Sequence, residues 1–212
     1  MASAWNGDLI RVPIETGRRD VAACPRFRAN YLHPRRARKL TIIIEWELAA
    51  GFRLVTPRTH EMNTLYDLPG GVLLARKQLL RLRKYGSTWT LTHKSGSKRA
   101  RHSSRLELET SLADGKKMDA ILRGLGYAPT FRYEKFRAEW SDDKGQVVVD
   151  ETPIGNFCEI EGRPRWIDAT AKKLGVSPAD YITKNYATLF LEWTHQTGSK
   201  TKEMTFLAMG QK

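Results

Sequence analysis

The run Val147-Val148-Val149-Asp150-Glu151-Thr152-Pro153-Ile154-Gly155-Asn156-Phe157-Cys158-Glu159-Ile160-Glu161 places one acid at the end of a β-branched stretch and two more at i and i+2 after a turn. In a strand, successive side chains point to opposite faces, so Glu159 and Glu161 share one face and Cys158 and Ile160 the other. Like charges held side by side repel, so such a pair belongs in open solvent or beside a cation. The alternation recurs with both signs of charge: Arg81 and Arg83 alternate with Leu80 and Leu82, Glu107 and Glu109 with Leu106 and Leu108, and Lys135 and Arg137 share a face with Glu139. On any single strand a half-solvated antiparallel sheet gives the same pattern with no further meaning. Pure Glu-x-Glu and pure Arg-x-Arg or Lys-x-Arg strands are, however, unlike the mixed charge of ordinary surfaces. The sorting points to a ligand with two parts, an anion for the bases and a divalent cation for the acids.

These strands must be positioned by a protein of 212 residues with 41% hydrophobic and 28% charged residues, which suits one soluble globular domain over residues 41–212. The net charge of +13 makes an anionic partner plausible. Residues 1–40 hold nine Lys and Arg against three Asp and Glu, with Pro13, Pro25 and Pro34 between them, and read as an irregular basic arm. Two cysteines, Cys24 and Cys158, without Cys-x-x-Cys spacing, argue against a zinc site or a disulfide framework and fit a reducing compartment. The longest apolar run, Ile42 to Leu48, is too short to span a bilayer and is interrupted by Glu45 and Glu47; with no signal-peptide core before it, a cytoplasmic protein is expected.

In chain order, Thr41 to Ala50 reads either as a strand with Glu45 and Glu47 on one face or as the end of a helix stopped by Gly51. Phe52 to Val55 and Glu61 to Tyr66 read as two short strands, and Asp67-Leu68-Pro69-Gly70-Gly71 as a turn. Leu79 to Tyr85 and Thr88 to Lys94 form a hairpin over Gly86-Ser87, and Arg105 to Thr110 is a further strand. Asp114 to Leu125 has helical spacing closed by Gly126; Phe131 to Trp140 and Gln146 to Asp150 make another hairpin. After Glu161 come a helix over Arg165 to Leu174 and a second opened by Ser177-Pro178 and running to about Thr194. The five histidines show no metal-ligand pairing, and neither a nucleophilic triad, a Walker loop nor a dinucleotide-binding glycine signature is present.

Six ordered blocks then resemble a known family: Glu61-x-Asn63-Thr64-x-Tyr66-Asp67, Leu80-Arg81-Leu82-Arg83, Leu91-Thr92-His93-Lys94, Arg105-x-Glu107-x-Glu109, Phe131-Arg132-Tyr133-Glu134-Lys135-Phe136-Arg137 and Val149-Asp150-Glu151-Thr152-Pro153-Ile154-Gly155-Asn156-Phe157-x-Glu159-Ile160-Glu161. Together they look like the CYTH domain, the fold of class IV adenylate cyclases and thiamine triphosphatases, also called triphosphate tunnel metalloenzymes. The resemblance implies an α+β, mainly antiparallel fold: an eight-stranded tunnel-like barrel with a polar, charged interior and flanking helices. It implies that Arg81, Arg83, Lys94, Lys135 and Arg137 bind triphosphate oxygens, that Glu107, Glu109, Asp150, Glu159 and Glu161 hold Mg²⁺ or Mn²⁺, and that Lys94 and Glu159 matter most to catalysis. The family opens with a Glu-x-Glu-x-Lys strand followed by a helix. Here either Glu45-x-Glu47 is that strand and the helix is missing, or the first strand lies upstream, with Ile10 to Thr16 the best candidate and Glu15 its only acid.

The expected function is a metal-dependent enzyme acting on triphosphate-containing small molecules, either a triphosphatase or a cyclase converting ATP to cyclic AMP and pyrophosphate. Positioning and charge stabilisation dominate such chemistry. Two other readings stand beside it. One is a catalytically impaired polyphosphate- or nucleotide-binding module. The other is RNA binding through the basic arm and the Lys98 to Arg105 loop, which is disfavoured because that loop carries no aromatic residue for base stacking. The protein is expected to be a monomer or homodimer with no membrane partner.

Overall fold

In the computed structural model the described residues are 8–14, 51–97, 105–182 and 184–211. Eight strands form one sheet: β1 (Asp8–Ile14), β2 (Arg53–Asp67), β3 (Leu79–Tyr85), β4 (Thr88–Ser97), β5 (Arg105–Leu112), β6 (Ala128–Ser141), β7 (Gly145–Thr152) and β8 (Gly155–Gly162). Their order is β1-β8-β7-β6-β2-β3-β4-β5. Every pairing between strands with a described register is antiparallel. Among the described residues no such pairing joins β1 to β5. Among the described residues four α-helices flank the strands: α1 (Val72–Ala75), α2 (Gly115–Gly124), α3 (Pro164–Lys173) and α4 (Tyr186–Thr197). None is long and apolar enough to cross a membrane. The chain divides into two compact units, unit 1 comprising Met1–Arg58 with Phe136–Thr201 and unit 2 comprising Thr59–Lys135 with Lys202–Lys212.

Unit 1 is built on β1, β8, β7 and the second half of β6. Period-two alternation sends Ile10, Val12 and Ile14 of β1, Cys158 and Ile160 of β8, Val147 and Val149 of β7 and Trp140 of β6 to one face, where they join Phe52 and, from α3, Ile167 and Ala171 in a single apolar core. The Trp166 ring lies over a gap made by two glycines opposite each other in the β7–β8 register, Gly145 and Gly162, and its indole N–H donates to Asp142 Oδ2 at 2.9 Å.

Unit 2 repeats the plan with α2 as its cover. Leu82 of β3 and Tyr66 of β2 pack against Leu122 of α2, with Leu80, Leu91 and Met118 around them. Asp114 caps α2 by accepting a hydrogen bond from the Lys117 backbone N–H at 3.0 Å. The segment after Gly198 is also used: Met204, fully buried, bridges to Tyr133 of β6 and exchanges backbone hydrogen bonds with Arg132 and Glu134.

Three expectations are corrected. Within the arm read as irregular, residues 8–14 form β1, which overlaps the upstream strand placed at Ile10 to Thr16 and pairs with β8 through seven register positions; Pro13 is tolerated because β1 ends the sheet and its missing N–H lies on the outer side, where Arg11 N–H already bonds Ile182 instead of a strand. Phe52 to Val55 and Glu61 to Tyr66 are not two strands but parts of the single 15-residue β2, which runs through Pro57. The helix opened by Ser177-Pro178 lasts one 3-10 turn, Pro178–Asp180, although its capping box is present. The chain then extends so that Ile182 pairs with Arg11, and α4 starts afresh behind its own cap, Asn185. Glu45, Glu47 and the Lys98 to Arg101 segment lie outside the described residues.

The glycine gap under Trp166 is testable. A Cβ at Gly145 would stand 2.4 Å from the nearest ring atom of Trp166. Gly145→Ala is therefore expected to lower stability by about 1–3 kcal/mol, read as a shift in the denaturant midpoint by circular dichroism.

Candidate functional site

In unit 2 the alternation that buries Leu80 and Leu82 turns Arg81 and Arg83 to the opposite face. Register places Arg81 opposite Thr92, Thr92 opposite Glu109, and Lys94 opposite Glu107, so one polar face runs across β3, β4 and β5. Arg81 donates from Nη2 to Thr92 Oγ1 at 3.3 Å, and Thr92 in turn donates to Glu109 Oε2 at 2.6 Å. The Arg81 Nη2 also lies 3.7 Å from Glu109 Oε2, while its buried Nε has no hydrogen-bond partner. Lys94 Nζ pairs with Glu107 Oε2 at 2.8 Å.

The same face continues on β2. Arg83 Nε donates to Asn63 Oδ1 at 3.3 Å, and Asn63 Nδ2 donates to Glu61 Oε1 at 2.8 Å. Glu61, only 1% exposed, has two cations at its Oε1: Arg83 at 3.8 Å and Lys135 of β6, itself 3% exposed, at 3.6 Å. Three basic side chains are thus gathered around one deeply buried carboxylate and the half-exposed Glu109.

Unit 1 holds the other acids in a different state. Arg137 forms a two-point fork on Asp150, Nε to Oδ1 and Nη2 to Oδ2, both at 2.7 Å, and its Nη2 also reaches Glu159 Oε2 at 2.5 Å. Arg11 of β1, directly opposite Glu159 in the β1–β8 register, donates from Nε to Glu159 Oε1 at 2.5 Å. Its guanidinium lies 4.5 Å from the Tyr186 ring centroid and also donates to the Lys184 carbonyl. The Tyr186 hydroxyl donates to Asp150 Oδ2 at 2.6 Å and closes a ring of contacts: Arg11, Glu159, Arg137, Asp150, Tyr186 and back to Arg11. Glu139 lies 3.9 Å from Arg137 and accepts from Thr56 at 2.6 Å. Glu161 shares the face of Glu159.

Burial opposes the charge on Arg11, and the Glu159 carboxylate, with Tyr186 and Asp150 behind it, more than offsets this, so its pKa lies above the ordinary arginine value. Burial, reinforced by the Asp150 and Glu159 carboxylates, pushes the Tyr186 phenol well above its usual value near 10.

Sequence reasoning assigned no role to Arg11, Tyr186, Glu61, Asn63 or Thr92. The signal for Arg11 was available as Leu9-Ile10-Arg11-Val12-Pro13-Ile14, an alternating apolar strand with a single charge on its other face. Of the residues expected to meet phosphate, Arg81, Arg83, Lys94 and Lys135 stand in unit 2 and Arg137 in unit 1; of those expected to hold metal, Glu107 and Glu109 stand in unit 2 and Asp150, Glu159 and Glu161 in unit 1.

The CYTH domain model matches residues 39–186. The chain belongs to the CYTH domain family. The family is a metal-dependent triphosphate tunnel family. The match begins after β1, the strand that carries Arg11. Among solved structures, the PH1012 protein of Pyrococcus horikoshii shares 16% identity at a TM-score of 0.63, covering 86% of this chain and 98% of its own. A candidate adenylate cyclase from Vibrio parahaemolyticus shares 15% at a TM-score of 0.61, over 86% of this chain and 97% of its own. A candidate adenylyl cyclase from Hippeastrum, described as having a dominant triphosphatase activity, shares 15% at a TM-score of 0.56, over 88% and 95%. At these identities the likeness shows the fold, and the eight-stranded antiparallel sheet with flanking helices is the CYTH fold. None of the curated proteins matches the sequence.

The unit 1 ring makes a stability prediction with a definite sign. The Tyr186 pKa is raised on folding, so its hydrogen bond contributes fully below about pH 10, the ordinary phenol value, and the contribution falls as pH rises from there towards the folded value. Below that range Tyr186→Phe is expected to cost about 1.5–3 kcal/mol, as for a hydrogen bond to a charged group. Above it, the gap between the wild type and Tyr186→Phe should narrow, as read from denaturation midpoints at a series of pH values.

Proposed function

We propose that this CYTH protein acts on triphosphate-containing small molecules, held by the basic face of unit 2, with hydrolysis of the triphosphate as its reaction. The observation that carries this reading is the basic face itself: the buried Arg81 and Lys135 and the part-buried Arg83 stand on it, and the buried Arg81 Nε has no hydrogen-bond partner. Buried charge without full compensation is costly, and a many-oxygened anion supplies both charge and acceptors. Arginine forks suit phosphate oxygens, and lysines add point charges. Lys94, one strand over from Arg81, extends the same face.

Such chemistry asks for placement and charge neutralisation rather than a covalent nucleophile. Arg81, Arg83 and Lys135 would orient the anion and offset the charge that develops on its oxygens. With water as attacker the product is phosphate; with a ribose 3′ hydroxyl it is a cyclic nucleotide and pyrophosphate. Glu107 and Glu109 are the expected metal ligands on this face, and both keep accessible side chains. They would hold a Mg²⁺ or Mn²⁺ ion carried in with the triphosphate, which would neutralise phosphate charge.

Titration calorimetry with tripolyphosphate and with ATP, followed by product analysis, tests the reading. Tripolyphosphate should bind, and Arg81→Ala should weaken it about tenfold or more, equivalent to ~1.4 kcal/mol. Phosphate should be released from at least one of the two. Absence of binding to both by the folded protein would overturn the proposal.

A further inference from the structure

The acids of unit 1 do not suit a divalent ion. Both oxygens of Asp150 and both of Glu159 already face a guanidinium or the Tyr186 hydroxyl. A cation ligated at 2.0–2.6 Å by these oxygens would sit against two fixed positive groups. Among the described residues, no group of three or more His, Cys, Asp or Glu is placed to hold a metal ion. Among the described residues, the face of β1 that looks onto Glu159 and Glu161 offers Leu9, Arg11 and Pro13, with no acid among them; Glu15 lies outside the described residues.

We propose that Arg11 is a built-in cation that takes the place of a divalent ion at Asp150 and Glu159, so that unit 1 binds no metal there and any metal the protein uses enters elsewhere. Two guanidiniums against two buried carboxylates leave that pair neutral. The remaining acids on this side, Glu139 and Glu161, do not change this, since Glu139 is tied to Thr56 and stands beside Arg137, and Glu161 lies one pleat further along β8. Unlike a metal ion, the arginine cannot be chelated or exchanged. Its position is held from three sides, by Glu159, by the Lys184 carbonyl and by the Tyr186 ring. The pairing of Ile182 with the Arg11 backbone, N–H to carbonyl in both directions at 3.2 and 2.7 Å, fixes the strand from which it projects.

The test uses the intact protein and needs no turnover. In ¹⁵N-resolved NMR spectra, Mn²⁺ broadens protons close to where it binds. The Nε–H signals of Arg11 and Arg137 are expected to stay sharp in excess Mn²⁺, with or without tripolyphosphate. Broadening of both in the wild type, removed by EDTA, would overturn the proposal. Arg11→Gln, if folded by circular dichroism, should gain a Mn²⁺ site that broadens Arg137; unchanged Arg137 signals in that folded variant would remove the role assigned to Arg11. Should Arg11→Gln not fold, the wild-type spectra decide alone. Failure of tripolyphosphate to bind would sink the proposed function while leaving the Arg11 result standing.

Discussion

Burying a carboxylate is tolerable only if something positive and well placed comes with it. Asp150 is fully buried and Glu159 is 4% exposed, and the fold of unit 1 supplies each with more than one partner drawn from distant parts of the chain. Arg11 comes from β1, Arg137 from β6, Asp150 from β7, Glu159 from β8 and Tyr186 from α4, so the ring draws together five elements. Removing one charged partner of such a set typically costs about 3–5 kcal/mol, because the remaining charge is left buried and unpaired. Specific geometry around the acids, more than the apolar core alone, therefore dictates how β1 and α4 must be placed.

The two units treat the same raw material differently. Both present a charged face opposite an apolar one, and both sort their charges by strand. In unit 1 the sorted charges meet each other and cancel. In unit 2 the buried Arg81 and Lys135 and the part-buried Arg83 share one face, and the Arg81 Nε lacks a hydrogen-bond partner. An anion added to unit 2 relieves a deficit, whereas an ion of either sign added to unit 1 would have to displace a partner. That contrast separates a face suited to exchange from one suited to permanence.

Most of the fold was legible in the chain. The hairpins over Gly86-Ser87 and Asp142 to Gly145, the Glu-x-Glu strand β8 and the helices α2 and α3 all carry local signals that agree with their surroundings. Reading failed where tertiary pairing outweighed local preference. The first half of β2 lacks a buried stripe, since Arg53, Leu54, Val55, Pro57 and Arg58 are all exposed, so nothing in its pattern carries the strand read at Phe52 to Val55 on through Pro57 to Glu61. The capping box at Ser177 is a sound helix start, yet Ile182 is drawn into a bridge with β1. The charged faces could be read from alternation alone. Which acid meets which base could not, because that depends on register between strands up to 148 residues apart in sequence.

The bridge between Met204 and Tyr133 bears on how the protein is made. Unit 2 takes its strands from the middle of the chain but also needs the stretch around Met204, which follows all of unit 1 in sequence. A ribosome therefore releases every residue of unit 1 before it releases the last piece of unit 2. Until that piece emerges, the β6 backbone at Arg132 and Glu134 has neither of its two Met204 partners and stays open to water, to a chaperone or to a neighbouring nascent chain.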